Sequence, residues 1–240
     1  MIRNLIIFLS IFFLISCGGS TLDRKDSTQY DKGSFNQLGK LDFDRMADYE
    51  IRENFESLKL LMIKLYKRNP IQLKKTTSDN AEQAANYFFS NPSHKWNFEA
   101  IANKQGFDAI YQSFDENFKG DRVLSLITGL YTMTIEAHGG KTEFYITDSI
   151  EPQNLYNLAR NFEIVVWMLS TKKDKEGKLY LLSNEMNSDV SNLSFEREFG
   201  KMIGRTDYFC LYFVRKNREG DYEIYSRCRW NRIDPIYLNL

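Results

Sequence analysis

The residues best suited to chemistry in this chain are few: three cysteines, Cys17, Cys210 and Cys228, and two histidines, His94 and His138. Neither histidine has a cysteine or carboxylate at a zinc-ligand spacing. Glu136 stands two residues before His138, and residues two apart on a helix do not share a face. No metal site is expected, and each histidine reads as structural or surface. No Gly-x-Ser-x-Gly elbow is present, and no cysteine remains as a nucleophile if Cys210 and Cys228 pair. Gly140-Lys141-Thr142 has the ending of a phosphate-binding loop. Ile135 stands where that motif needs its first glycine, however, and the order of helix, GKT and strand is wrong for it. No nucleotide or other cofactor is expected.

Paired carboxylates would suit glycan cleavage, which uses two. Glu196 and Glu198 flank Arg197, Glu136 closes the most apolar segment, and Arg160 and Glu163 stand three apart. Each has a simpler reading as helix-end charge, solvated face or local ion pair. Acid catalysis also needs a raised pKa, which spacing alone does not supply. The expected catalytic set is empty, and an enzyme is the less favoured class.

Cys17 has a different use. Met1 and Arg3 open a short positive segment, and the run over 5–15 is apolar apart from Ser10. That is a signal-peptide pattern, too short for a spanning helix of about 20 residues. It ends Leu14-Ile15-Ser16-Cys17-Gly18, with an aliphatic residue three before the cysteine and a small one just before it. This resembles the lipobox of bacterial lipoproteins. The resemblance implies cleavage before Cys17, a diacylglycerol on its thiol and usually an acyl group on its new amine, which together hold a protein stably at a membrane. Glycine rather than aspartate at position 18 implies, by the same resemblance, an outer-membrane address facing the periplasm.

The whole chain carries 32 basic and 32 acidic residues, a formal charge of zero. No basic excess or polybasic run points to nucleic acid or anionic headgroups. Residues 1–16 read as signal peptide. Residues 17–42 are the lipidated cysteine and a Gly/Ser/Asp/Lys-rich tether with an r.m.s. reach of about 27 Å. Residues 43–240 read as a single globular domain.

That domain is expected to be mainly α (α+β): one helical domain with a C-terminal antiparallel β-hairpin. Apolar residues recur at helical spacing from Asp44 to Asn69-Pro70, and Asp79 with Glu82 three residues on suggests a capping box for the next helix. The stretch 96–118 looks helical, with Gly106 breaking or bending it. Residues 123–135 carry no charge and predict a central core helix. Its stripe of Ser125, Gly129, Thr132 and Glu136 would let a neighbour approach closely, and His138-Gly139-Gly140 would stop it. Residues 142–147 have strand composition. Pro152 suits the start of a helix to Leu169, exposed at one end and buried at the other. Residues 172–177 form a turn, 179–182 a short strand, and Ser194 could cap a last helix through about Ile203.

The hairpin is predicted over 208–215 and 222–229, both rich in aromatic and β-branched residues. A loop of Arg218-Glu219-Gly220 places glycine third, where a left-handed residue is wanted. Asn217 then faces Asp221, and Cys210 falls opposite Cys228, within disulfide range. Such a bond would contribute roughly 3 kcal/mol in the chain-entropy model.

Gly120-Asp121-Arg122-Val123, the segment from Gln153 to Asn161 and Ser194-Phe195-Glu196-Arg197-Glu198-Phe199-Gly200-Lys201 are similar to a group of uncharacterised proteobacterial envelope lipoproteins. The group brings no activity with it. The expected function is an envelope accessory or structural component that binds another protein through Asn157, Arg160 and Asn161. The alternative is an envelope hydrolase acting on cell-wall glycan or peptide. A cleft holding Glu196 or Glu136 beside a second carboxylate would favour the enzyme; a flat apolar patch would favour the binding protein.

Overall fold

Helical periodicity runs through nearly every segment of the computed structural model, which describes residues 42–90, 96–145, 147–186 and 191–216. Helix α1 (Asp42–Arg68) buries Phe43, Ala47, Ile51, Asn54, Leu58, Leu61 and Leu65 at three- and four-residue steps. Pro70 starts a single-turn helix, α2 (Pro70–Leu73), rather than ending the helical run outright. Helix α3 (Ala81–Ser90) begins one residue later than the capping box at Asp79 and Glu82 predicts. Asn80 accepts from the Gln83 backbone N–H at 2.8 Å, and the Gln83 side chain accepts from the Asp79 N–H at 3.1 Å. The N-cap is Asn80, one position later than predicted, and the returning Gln83 side chain reaches the N–H just before the cap instead of that of the cap itself.

The stretch 96–118 is not one helix. A 3-10 turn (Glu99–Ile101) ends in left-handed Ala102 and Asn103, and helix α4 covers only Gly106–Ser113. Helix α5 (Arg122–Ala137) is the central helix that its uncharged run predicts. Asp121 caps it, accepting from the Val123 and Leu124 N–H groups. Its other carboxylate oxygen accepts from the Tyr66 hydroxyl at 2.7 Å. Burial raises the Asp121 carboxyl above the ordinary aspartate value, while these three bonds pull it down. At the far end, Gly139 N–H donates to Glu136 O and Gly140 N–H to Ile135 O, both with positive φ. That is the Schellman pattern.

The small stripe on α5 is where α4 lies. A Cβ on Gly129 would sit 2.6 Å from the Gly106 carbonyl oxygen and 2.9 Å from the Ile110 backbone nitrogen. Ser125 donates to the Ala109 carbonyl, and Thr132 accepts from the Gly106 N–H, each at 2.8 Å. Arg122 holds the turn after α4 by donating to the carbonyls of Ser113, Asp115 and Phe118.

Helix α6 (Pro152–Thr171) starts at its proline and buries Leu155, Leu158, Phe162, Val165 and Leu169. Residues 142–145 form no strand; Phe144 is buried as a single anchor, its N–H donating to Asp48. Residues 179–182 contribute one bridge, Leu179 to Lys173. The strands among the described residues are β1 (Glu185–Met186) and β2 (Ser191–Asn192), antiparallel, with Glu185 opposite Asn192.

Helix α7 (Ser194–Lys216) overturns the first strand of the expected hairpin. Residues 208–215 are helical because Phe195, Phe199, Met202, Thr206, Phe209 and Phe213 form one continuous buried stripe. Aromatic and β-branched content suits a half-buried surface of either kind, so periodicity decides. The second strand, 222–229, lies outside the described residues. With 208–215 helical, the register that places Cys210 against Cys228 no longer applies. Ser194 is not the main cap of α7 either: Asn184 accepts from the Phe195 and Glu196 N–H groups.

The contact between α4 and α5 yields a paired test by urea unfolding. Gly129→Ala forces Cβ into backbone and should cost about 2 kcal/mol. Gly200→Ala, in a helix with open space around the new methyl, should gain about 0.8 kcal/mol. Equal effects at the two sites would contradict the close approach.

Candidate functional site

The residues that the sequence nominates for binding do not form one exposed face. Asn157 is exposed and accepts from Gln153 at 2.8 Å. Arg160 and Asn161 are half-buried. Arg160 turns toward α7, donating to Asp207 at 2.6 Å and to Glu163 at 3.1 Å, with its guanidinium 5.3 Å over the Tyr156 ring. Asn161 points its amide at the Met133 sulfur, 3.2 Å away. Two of the three nominated residues therefore join α6 to its neighbours.

The nominated carboxylates also separate. Glu196 is exposed and accepts from Asn184, while Glu198 is buried and accepts from Lys201 at 2.9 Å. Residues two apart on a helix diverge, and these two carboxylates share no cleft. Lys141, from the GKT triplet, is tied to Asp148.

His138 is wholly buried. Its Nδ1 lies 2.8 Å from the Thr134 carbonyl oxygen, which can only accept, so Nδ1 donates. Its Nε2 lies 2.7 Å from Glu50 Oε2. Glu50 Oε1 accepts from Asn54 at 2.6 Å and from Thr206 at 2.5 Å. A sealed His–Glu pair of this kind has no route to a substrate and serves as a structural histidine. His94 lies outside the described residues, as do Cys17 and Cys228. Among the described residues no group of His, Cys, Asp and Glu is arranged to hold a metal ion. None of their helices is long and apolar enough to cross a membrane.

The surface feature with the geometry of a site lies beside the α4–α5 contact. An open groove of about 710 Å³ runs between the first turn of α4 and the last turn of α5. Phe107 and Asp108 line one side, Thr132, Ile135 and Glu136 the other, and the Gly139-Gly140 turn closes one end. Trp96 completes the wall. Its backbone is left-handed, φ 55°, a conformation that costs a bulky residue about 1 kcal/mol or more. Its ring packs 4.5 Å from that of Tyr131, which offsets the strain. Burial pushes the Tyr131 hydroxyl up to about 12. Phe107 is 42% exposed and stacks on Tyr111, 54% exposed, with centroids 6.2 Å apart.

Only Glu136 of this group is a nominated residue. Trp96 and Phe107 fall in the stretch 96–118 that looks helical, with Gly106 breaking or bending it, and neither is singled out there as a site residue. The break that Gly106 signals is what turns Phe107 outward, and position 106 was the available clue. No protein-family model matches the chain, and no curated protein or solved structure matches it either.

The Arg160–Asp207 pair gives a pH test. Burial holds the Asp207 carboxyl above its ordinary value, and Arg160 pulls it down. Glu163 is raised by burial too, and Arg160 again opposes. Without Arg160 both folded values move further above the unfolded value of about 4. A raised folded value means stability that is complete below about pH 4 and is lost as pH rises through the folded value. Arg160→Ala should therefore cost about 3 kcal/mol at pH 7 and clearly less at pH 4. Urea unfolding at both pH values checks this; an equal loss at each would contradict the reading.

Proposed function

We propose that this chain is a membrane-anchored envelope lipoprotein, acting without catalysis as an accessory or structural component that binds another protein. The observation that carries the reading is the apolar run ending Leu14-Ile15-Ser16-Cys17. A diacylated thiol with an acylated amine holds a protein firmly to a bilayer. Gly18 supports an outer-membrane position facing the periplasm, by the sorting rule of the family that this segment resembles. The balanced charge fits a protein partner better than nucleic acid. The groove supplies the binding surface in place of the α6 face: it is open, largely apolar and walled by aromatic rings.

One observation favours a hydrolase instead: Glu136 shares that groove with a second carboxylate, Asp108. Both are exposed. A general acid at neutral pH needs shielding from water to keep its proton, and neither has it. The binding reading is the better supported of the two.

The anchor is tested by feeding labelled palmitate. Label should enter the protein and the protein should sediment with membranes; Cys17→Ser should abolish both. Unchanged membrane residence in that variant would remove the reading. In an oxidising periplasm the two remaining cysteines form an even pair, and we propose a Cys210–Cys228 disulfide. Cys210 is buried, its sulfur 3.5 Å from the Pro152 carbonyl oxygen. Peptide mapping by mass under non-reducing conditions should recover the linked peptides. Both cysteines appearing as alkylatable thiols in denaturant would refute the bond.

A further inference from the structure

We infer that the groove between α4 and α5 takes an extended peptide segment of the partner protein bearing lysine or arginine side chains. The inference rests on the protein-binding reading above and names the chemistry of the partner. Two carboxylates line the groove, Asp108 and Glu136, and no basic residue does so among the described residues. Neither carboxylate is taken by an ion pair within the described residues, and both are exposed. Lys141, which follows the Gly139-Gly140 turn, is tied to Asp148 and is not available to neutralise them.

Two aromatic residues line the groove with the two acids. Trp96 and Phe107 offer ring faces, and a lysine or arginine side chain joins an apolar stem to a cationic head. The stem packs on the rings, the head gains a cation–π contact and a carboxylate, and the groove volume suits a short stretch of extended chain. An acidic or purely apolar occupant would leave two carboxylates unpaired against it, which is unfavourable. A glycan could stack on the same rings, so it is the rival that the test must separate. The Gly139-Gly140 turn borders the groove with bare backbone and nothing within 4 Å of an added Cβ, so backbone there can be approached closely.

The test uses the full lipidated chain in detergent micelles and a fluorescent peptide alternating lysine and alanine, followed by anisotropy. Binding should weaken with added salt, and a glutamate–alanine peptide should not bind. Asp108→Asn with Glu136→Gln should weaken binding about tenfold or more, equivalent to 1.4 kcal/mol per decade. Trp96→Phe keeps a ring against Tyr131 while weakening the cation–π contact, and should cost about threefold. All these positions lie at the groove surface, so unchanged circular dichroism and thermal midpoint would show that the fold is intact. An affinity untouched by the double substitution, or an acidic peptide binding equally well, overturns the inference. If the basic peptide fails while Cys17-dependent anchoring holds and no glycan binds, the groove assignment alone falls. If cell-wall glycan displaces the peptide or is cut, the protein-binding reading falls with it.

Discussion

Glu50 is the buried polar group around which the helices are arranged. It lies on α1 between two apolar clusters, one around Phe43, Ile51 and Phe209, the other around Leu58, Leu61 and Leu126. Taking a carboxylate out of water costs several kcal/mol unless donors replace the solvent. Asn54 on α1 and Thr206 on α7 donate to one oxygen, and the other lies 2.7 Å from His138 Nε2 at the end of α5. Arg205 extends the node by donating to Asn54, to Ser57 and to the Glu53 carbonyl. Any slip of α7 along α1 would strand at least one buried polar group. Apolar contacts alone would penalise such a slip far less, because they are not directional. The node therefore sets register where the surrounding phenylalanines set only proximity.

That register reaches the surface through His138. Its imidazole is bonded at Nδ1 to the Thr134 carbonyl and packed with Nε2 against Glu50, so it ties the C-terminus of α5 to α1. The Schellman turn at Gly139-Gly140 follows directly, and this turn closes one end of the groove. The other wall is held by a different constraint. Gly129 lets α4 come into van der Waals contact with α5, and the Thr132 hydroxyl takes the Gly106 N–H that begins α4. The groove is thus the gap left where a helix pinned by a buried polar node meets a helix pinned by a missing side chain. Its shape depends on Gly106, Thr132 and the Gly139-Gly140 turn among its lining residues, and not on Asp108 or Glu136.

Much of this architecture was legible as periodicity. The uncharged run of α5, its small stripe, the proline start of α6 and the paired glycines after His138 are local signals with local causes, and they placed those elements correctly. The errors came where composition was weighed above spacing. Tyr208, Phe209, Cys210, Leu211, Tyr212, Phe213 and Val214 look like a strand in isolation; only the continuation of the stripe from Phe195 makes them helical. Gly106 marks the break in the stretch 96–118, but nothing local says that the residue after it, Phe107, is left 42% exposed. Arg160 is a subtler case. Nothing local distinguishes a solvated arginine from one that meets an aspartate 47 positions later, since that pairing exists only once α6 and α7 have packed. Glu50, Asn54 and Ser57, in contrast, share the buried stripe of α1 at steps of four and three. Polar residues on an apolar face are a readable sign of a buried network, even when their partners are not.

An exposed groove with two carboxylates faces strong screening, since at physiological ionic strength the field of a surface charge decays over about 8 Å. Its charges cannot gather a ligand from far away. They act at contact, selecting the sign of the occupant, while the aromatic walls supply most of the contact free energy. Such a site is weak in free solution. Held to a membrane as proposed, it need not be strong: a partner in the same membrane meets it at an effective concentration set by the tether, and a short flexible link commonly gives millimolar values. On the proposed reading, a modest groove and a lipid anchor would be complementary devices. Tight binding by the groove alone would make the anchor redundant for recognition, whereas a shallow, charge-selective groove gains its occupancy from confinement. The balance predicts where selection should act on this surface: on the sign of the charge beside the rings and on the reach of the tether, more than on the close fit of any one side chain.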